Sequence, residues 1–208
     1  MKKHNKLVLI DFDGTLTRHD TFPLFLRFIL EKRFVLLFPV LVWNVVCMKA
    51  GILSAQQAKE RILAAAVKGW DRTRLQNCGR AFIETLLADA EHTFRPGALE
   101  MIERHKKAGS RVMVVSASPE EWVSAFADKL CIECISTRLE YDEYGFTGKI
   151  AGKNCTGEEK VKQIREMIPD VSLYDVEAYG DSQGDLPMLG LANKAFYKPF
   201  FWKNKHFI

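Results

Sequence analysis

Hydrophobic and polar positions along this chain follow two periods. Residues 7–10 (LVLI) are a short unbroken apolar run ending at Asp11, the pattern of a strand covered on both faces. From 21 to 91 the pattern is helical. Phe22, Phe25, Leu26 and Ile29 recur at helical spacing behind Asp20-Thr21, which predicts a capped helix. Ser54 opens a second helical run (SAQQAKERILAAA), and a third helix is predicted over 73–90. Arg95-Pro96-Gly97 breaks the pattern. Strand and helix then alternate: helix 98–108, strand 111–115, helix 119–130 with Pro119 in its first turn, and strand 132–135. Residues 137–141 and 146–150 flank Asp142-Glu143-Tyr144-Gly145, a hairpin signal. Helix 156–168, strand 175–179, helix 186–191 and strand 194–197 follow. This alternation predicts an α/β fold with a parallel sheet and helices on both faces. The helical block between the first and second strands reads as an inserted cap. The expected division is 1–17 and 92–208 for the core and 18–91 for the cap.

One segment stands apart. Residues 34–48 (FVLLFPVLVWNVVCM) carry no charge and lie between Arg33 and Lys49. They fall short of the ~20 residues of a membrane-spanning helix. Pro39 and Asn44 interrupt them further. A buried or interfacial helix is expected, with contact to a membrane surface as the alternative. The end of the chain, 196–207, interleaves Lys198, Lys203 and Lys205 with Phe and Trp. It reads as packing plus a solvated end, with the same alternative.

Composition narrows the classes. At 208 residues, 48% hydrophobic and 27% charged, the chain is long and apolar enough for a core of its own, which excludes disordered and low-complexity proteins. A net charge of +4 is too mild and dispersed for a nucleic-acid partner. Five cysteines do not suggest a disulfide framework. The pair Cys131 and Cys134 has no companion pair, so no zinc site is expected. The start, MKKHNK followed only by LVLI, is too short in apolar residues for a secretory signal, so a cytoplasmic place is expected.

Chemistry is expected beyond the carboxyl ends of the strands, where open parallel sheets bind ligands. The first strand runs into Asp11-Phe12-Asp13-Gly14-Thr15, the second into Ser116, and the strand at 175–179 into Gly180-Asp181-Ser182-Gln183-Gly184-Asp185. Side by side, these ends would bring four carboxylates into one crevice. Such a group repels itself unless a hard divalent cation joins it, most simply Mg²⁺. In Asp11-x-Asp13 one carboxylate can act as nucleophile and the other as general acid and base. Backbone N–H groups near Phe12 and Asp13, the Thr15 hydroxyl and Ser116 could hold phosphate oxygens. A lysine is needed to balance the transferring charge. Lys160 is the best placed, with Lys153 and Lys162 as rivals. Ser118, three residues before Glu121, reads as a helix cap.

DFDGTLT, the strand ending in Ser116, then Lys160 and GDSQGDLPML resemble the four motifs of the haloacid dehalogenase superfamily of phosphatases, in order, across 7–191. The insert resembles the helical C1-type cap of the phosphoserine-phosphatase-like branch. The resemblance implies a Rossmann-like three-layer core and a Mg²⁺-dependent phosphomonoester phosphatase acting on a small phosphorylated metabolite through an aspartyl-phosphate. It implies Asp11 as nucleophile and Asp13 as acid and base. Phe12, Asp13, Thr15, Ser116, Ala117 and Lys160 would bind phosphate. Asp11, Asp13 (through its carbonyl), Asp181 and Asp185 would bind Mg²⁺. Asp20 and Arg27 would reach the substrate from the cap. The chain departs from the phosphoserine phosphatase pattern at Asp20, where a Glu is usual, at Ala117-Ser118-Pro119, where glycines are usual, and at GDSQGD in place of GDGAND. The opening of the cap also resembles the membrane-associated phosphatidylglycerophosphatase C group. That resemblance makes a phospholipid phosphatase, peripheral to the inner membrane, the alternative substrate class. A non-catalytic phosphate-binding module or a phosphotransferase is the second alternative.

Overall fold

The computed structural model describes residues 6–200. The strands are β1 (Lys6–Ile10), β2 (Arg111–Pro119), β3 (Glu133–Thr137), β4 (Leu139–Asp142), β5 (Gly145–Ile150), β6 (Asp175–Gly180) and β7 (Lys194–Tyr197). Five of them form a parallel sheet in the order β3-β2-β1-β6-β7, and β4 and β5 form an antiparallel hairpin apart from it. The first strand of the sequence is therefore the central strand. Its side chains alternate as a two-residue period requires: Val8 and Ile10 enter one core cluster, Leu7 and Leu9 the other. Val112 and Val114 against Met113 and Val115 do the same on β2. Helices cover both faces, giving a three-layer, Rossmann-like α/β core.

Five helices lie between β1 and the Arg95-Pro96-Gly97 break: α1 (Thr21–Leu30), α2 (Phe34–Lys49), α3 (Ala55–Val67), α4 (Arg72–Ala88) and α5 (Ala90–Thr93). The rest are α6 (Ala98–Lys107), α7 (Glu120–Leu130), α8 (Glu158–Met167) and α9 (Leu186–Leu189). Asp20, Ser54 and Asp71 cap α1, α3 and α4 through their side chains, and Ser54 and Gln57 form a reciprocal capping box. The chain leaves and re-enters the sheet layer through paired backbone: Arg18 N–H donates to Thr93 O and Arg95 N–H to Leu16 O. The inserted helices share one apolar cluster with the core. Phe25 of α1 stacks on Trp122 of α7 at 4.3 Å, and Phe82 of α4 meets Phe25 edge-on at 5.4 Å. Helices α4 and α7 meet so closely at Gly79 that a Cβ there would lie 1.9 Å from the Glu121 carbonyl oxygen.

Several boundaries differ from the sequence expectation. β2 continues to Pro119, with an irregularity between Ser116 and Pro119, so Pro119 precedes α7 instead of opening it. Thr137 belongs to β3, and the hairpin starts at Leu139. The larger correction concerns 34–48. These residues form α2, continuous through Pro39, but the helix is not buried: only Leu37, Asn44 and Cys47 are. It packs on one side against α3, and its other side has no protein over it among the described residues. Among those residues, no helix is long and apolar enough to cross a membrane. The expectations placed on residues 1–5, Lys203 and Lys205 lie outside the described residues.

Candidate active site

Because β2 and β6 flank β1, the carboxyl ends of these three strands open side by side. Asp11 leaves β1 and the chain turns at once through Phe12–Leu16. Gly14 makes that turn with φ 81°, and a Cβ there would lie 2.6 Å from Asp181 Oδ2. Only glycine allows both the conformation and the approach of Asp181. Thr15 donates to Asp181 Oδ1 at 3.0 Å. The Thr15 hydroxyl, expected at the phosphate, meets the Asp181 carboxylate in this structure. Arg95 Nε ties down the turn by donating to Gly14 O at 2.7 Å.

Asp11, Asp181 and Asp185 each offer one carboxylate oxygen within 4.8 Å of the others. Lys160, from the first turn of α8, is 1% exposed and reaches into this group. Its ammonium donates to Asp11 Oδ1 at 2.7 Å, Asp185 Oδ1 at 2.6 Å and Val115 O at 2.8 Å, which uses all three N–H bonds. The rivals are elsewhere: Lys162 pairs with Glu166 on the exposed face of α8, and Lys153 is exposed. The other oxygen of Asp185 accepts from the Asp181 and Ser182 N–H groups and the Ser182 hydroxyl.

Asp13 does not join the cluster, contrary to the expectation of four converging carboxylates. Its Oδ1 accepts from Thr21 N–H at 2.7 Å and Thr21 Oγ1 at 2.6 Å, and its Oδ2 accepts from Ser118 Oγ at 2.6 Å. The Trp122 indole N–H, a donor only, reaches Thr21 Oγ1 at 3.0 Å. The Thr21 hydroxyl must therefore point its own proton at Asp13. Oδ1 is thereby committed as an acceptor of two bonds, while Oδ2 carries the one bond from Ser118. Ser118 is not the helix cap that its spacing suggests, because the bend in β2 turns it towards Asp13. Ser116 is fully buried and accepts from Ser118 N–H at 3.0 Å.

The cap side contributes more than the sequence indicates. Lys59 of α3 donates to Ala117 O at 2.7 Å and Asn154 Oδ1 at 2.9 Å, which fixes the Ala117 peptide from the cap. Thr137 donates to the same carbonyl at 2.7 Å. Asp20 caps α1 by accepting from Phe22 N–H and is open to solvent on one side. Arg27 is exposed on α1, roughly 9 Å further along its axis than Thr21, with no polar partner among the described residues. Thr21, Ser118, Lys59 and Asn154 were not legible as site residues. The Ser116-Ala117-Ser118 spacing beyond a strand is the one hint the sequence holds for any of them.

Electrostatics follow from burial. Desolvation pushes the Asp11 carboxyl up to about 7, with Lys160 opposing and Asp185 adding to the rise. Burial alone would lower Lys160, but Asp11 and Asp185 hold it above the usual lysine range. Burial likewise works to raise Asp185, yet Lys160 and the Ser182 donors bring it below the usual carboxylate range. Asp181 is raised, chiefly by burial. Three carboxylates face one ammonium here, and Asp11 stays fully ionised at neutral pH only with further positive charge nearby. An all-oxygen donor set with excess negative charge fits a hard divalent cation. Desolvation lowers Lys59 to about 8 against the pull of Asp13 and Asp20. Desolvation, then the Asp13 charge, raises Asp20.

The Thr21 contact gives a testable consequence. Thr21→Val keeps the shape but removes the hydroxyl donor to Asp13. A hydrogen bond to a charged group contributes roughly 1.5–3 kcal/mol, so kcat is expected to fall about tenfold to a hundredfold with KM little changed, and Thr21→Ser to restore most of it. An unchanged kcat would show that Thr21 does not position Asp13.

The chain is similar to known proteins. The family model for haloacid dehalogenase-like hydrolases matches residues 8–190. Protein CicA of Caulobacter vibrioides is 35% identical over 201 residues, covering 93% of this chain and 86% of its own. A probable phosphatase of Mycobacterium tuberculosis is 36% identical over 125 residues, 58% of this chain and 42% of its own. Among solved structures, a Bordetella pertussis protein of unknown function superposes with a TM-score of 0.79 at 20% identity, covering 94% of this chain and 90% of that one. A phosphoserine phosphatase holding an analogue of its phospho-aspartyl intermediate superposes at 0.63 with 22% identity, covering 94% and 87%. With the family match running from β1 through α9 and enclosing every strand end that carries the acidic cluster, this chain belongs to the haloacid dehalogenase-like hydrolases.

Proposed function

We propose that the protein is a Mg²⁺-dependent phosphomonoester phosphatase that hydrolyses a small phosphorylated metabolite through an aspartyl-phosphate on Asp11. The observation that carries this reading is the division of labour between two carboxylates two residues apart. Asp11 is clamped by Lys160 through Oδ1, leaving Oδ2 to attack, while Asp13 is held away from the cluster by Thr21 and Ser118. In this reading Asp11 is the nucleophile and Asp13 the proton carrier. The phosphatase and phosphoserine phosphatase relatives support the same reading.

In the first step Asp11 Oδ2 forms a bond to phosphorus while the bond from phosphorus to the leaving oxygen breaks. The proton on Asp13 Oδ2 passes to that leaving oxygen. In the second step Asp13, now a carboxylate, takes a proton from water as the water oxygen bonds to phosphorus and the Asp11–phosphorus bond breaks. Phosphate leaves and both carboxyl groups return to their starting states. Ser116 and the backbone around Phe12, Asp13 and Ala117 hold the phosphoryl oxygens, and the Lys160 ammonium, fixed by its three bonds beside Asp11, offsets their charge, the main demand of phosphoryl transfer. Asp11, Asp181 and Asp185, with the Asp13 carbonyl, would hold Mg²⁺, which when bound supplies positive charge to the phosphoryl oxygens and to Asp11. Asp20, at the start of α1, would meet the rest of the substrate from the cap, and Lys59 would fix the Ala117 peptide beside it.

The test is phosphate release from a panel of soluble phosphomonoesters in Mg²⁺ and in EDTA. Release is expected to fall at least about a hundredfold in EDTA and to return on adding Mg²⁺, since a lost Lewis acid costs several kcal/mol of transition-state stabilisation. Equal rates in both would remove the metal from the reading. Mg²⁺ binding without release from any ester would make the protein a binding module.

A further inference from the structure

Helix α2 presents an apolar surface that the catalytic reading leaves unused. At about 100° per residue, Leu37, Asn44 and Cys47 fall on the side facing α3, while Val35, Leu36, Phe38, Val42, Trp43 and Val46 fall on the other. Those six are open: Leu36 is 78% exposed, Val35 72% and Trp43 64%. Half the circumference of a helix roughly 24 Å long is therefore apolar and faces water. Soluble monomers rarely leave a contiguous apolar patch of this extent unoccupied.

The charges around it select the occupant. Lys32 and Arg33 lie exposed at one end of the helix and Lys49 at the other. Glu31 is the one acid beside them, and none follows until Glu60. A flat partner that is apolar inside and anionic at its surface fits apolar side chains between basic ends. A second copy of this face fits poorly, because its own basic ends would meet these. The helix is too short to cross a bilayer, so it would lie in the plane of one. An exposed Trp in such a face suits the headgroup level.

We propose that α2 docks this protein on an anionic membrane surface, with Val35, Leu36, Phe38, Val42, Trp43 and Val46 entering the interface and Lys32, Arg33 and Lys49 meeting lipid headgroups. α1 links this face to the catalytic cleft: Thr21 at its first position holds Asp13, and its last residue, Leu30, lies roughly 14 Å further along. Docking would bring the cleft close to the membrane surface. This inference concerns binding and stands whether or not the catalytic reading holds.

The experiment is co-sedimentation of the full chain with vesicles of phosphatidylglycerol and phosphatidylcholine in equal parts, and with phosphatidylcholine alone. The protein is expected to sediment with the anionic vesicles and far less with the neutral ones, and to be released in part by high salt. The double variant Leu36→Asp, Trp43→Asp is expected to partition at least tenfold less while keeping its activity on soluble esters. Both positions are exposed, so the fold does not depend on them. Asp11→Asn should bind vesicles as the wild type does, which separates docking from catalysis. Wild-type protein that stays in the supernatant with both vesicles would overturn the proposal. So would a dimer without vesicles that the double variant dissociates, since that would make α2 an interface between copies.

Discussion

Asp11→Asn is expected to lower turnover by at least about a thousandfold while the protein stays folded. The amide keeps the shape of the side chain but removes the anionic oxygen that would attack phosphorus. The fold should survive because the substitution also removes a carboxyl that burial penalises, as its rise to about 7 records. Lys160 keeps its bonds to Asp185 and Val115 O, so its ammonium is not left alone. The check is the rate of phosphate release, beside a thermal melt at pH 7.5. A melting temperature within a few degrees of wild type would show that lost turnover is lost chemistry. A rate within tenfold of wild type would sink the nucleophile assignment.

Lys160→Met is expected to abolish activity and also to cost about 3–5 kcal/mol of stability near pH 7.5, because it leaves two buried carboxylates without their cation. Met is close to Lys in volume and unbranched, so packing changes little. The loss should depend on pH. In the wild type, Lys160 holds Asp185 below its ordinary value, and the resulting stability is present above an unfolded pKa of about 3.9 and lost as pH falls through the folded value. Lys160 itself is raised, so its contribution is complete below about 10.4 and constant through the acid range. Without the lysine, Asp11 and Asp185 both rise. The wild type already loses some stability between about pH 4 and 7 as Asp11 ionises against burial, and the variant loses more and over a wider range, because Asp185 now rises too and Asp11 rises further. Wild type and variant should differ least near pH 4.5 and most near pH 7.5. Urea midpoints in EDTA at the two pH values measure this. A difference of equal size at both would assign the loss to packing and remove the charge argument.

Much of this was present in the residue order. An apolar run as short as LVLI, ending at Asp11, fits a strand covered on both sides, and the alternation after Arg95 fits a parallel sheet with crossover helices. Asp11 and Asp181 stand where strands end and Ser116 where β2 bends, and parallel strands carry their chemistry at that end. These readings rest on local period and on a topological rule, and both act along the chain. Tertiary structure decided what depends on direction. Spacing could not choose between Lys153, Lys160 and Lys162; only the packing of α8 turns Lys160 inward and leaves Lys162 in water. It could not separate Asp13 from the other carboxylates, because the separation comes from Thr21 on the inserted α1 and Ser118 on a bent β2. It placed 34–48 in a helix that could be buried, yet the neighbouring helices cover only one side of it. Composition records how apolar a segment is, while the number of partners that reach it is a property of the assembled fold. The sequence by itself determined the strands, their order of chemistry and the acidic residues at their ends. The tertiary structure decided which side chains meet, since contacts between residues far apart in the chain are set by packing and leave no period to read.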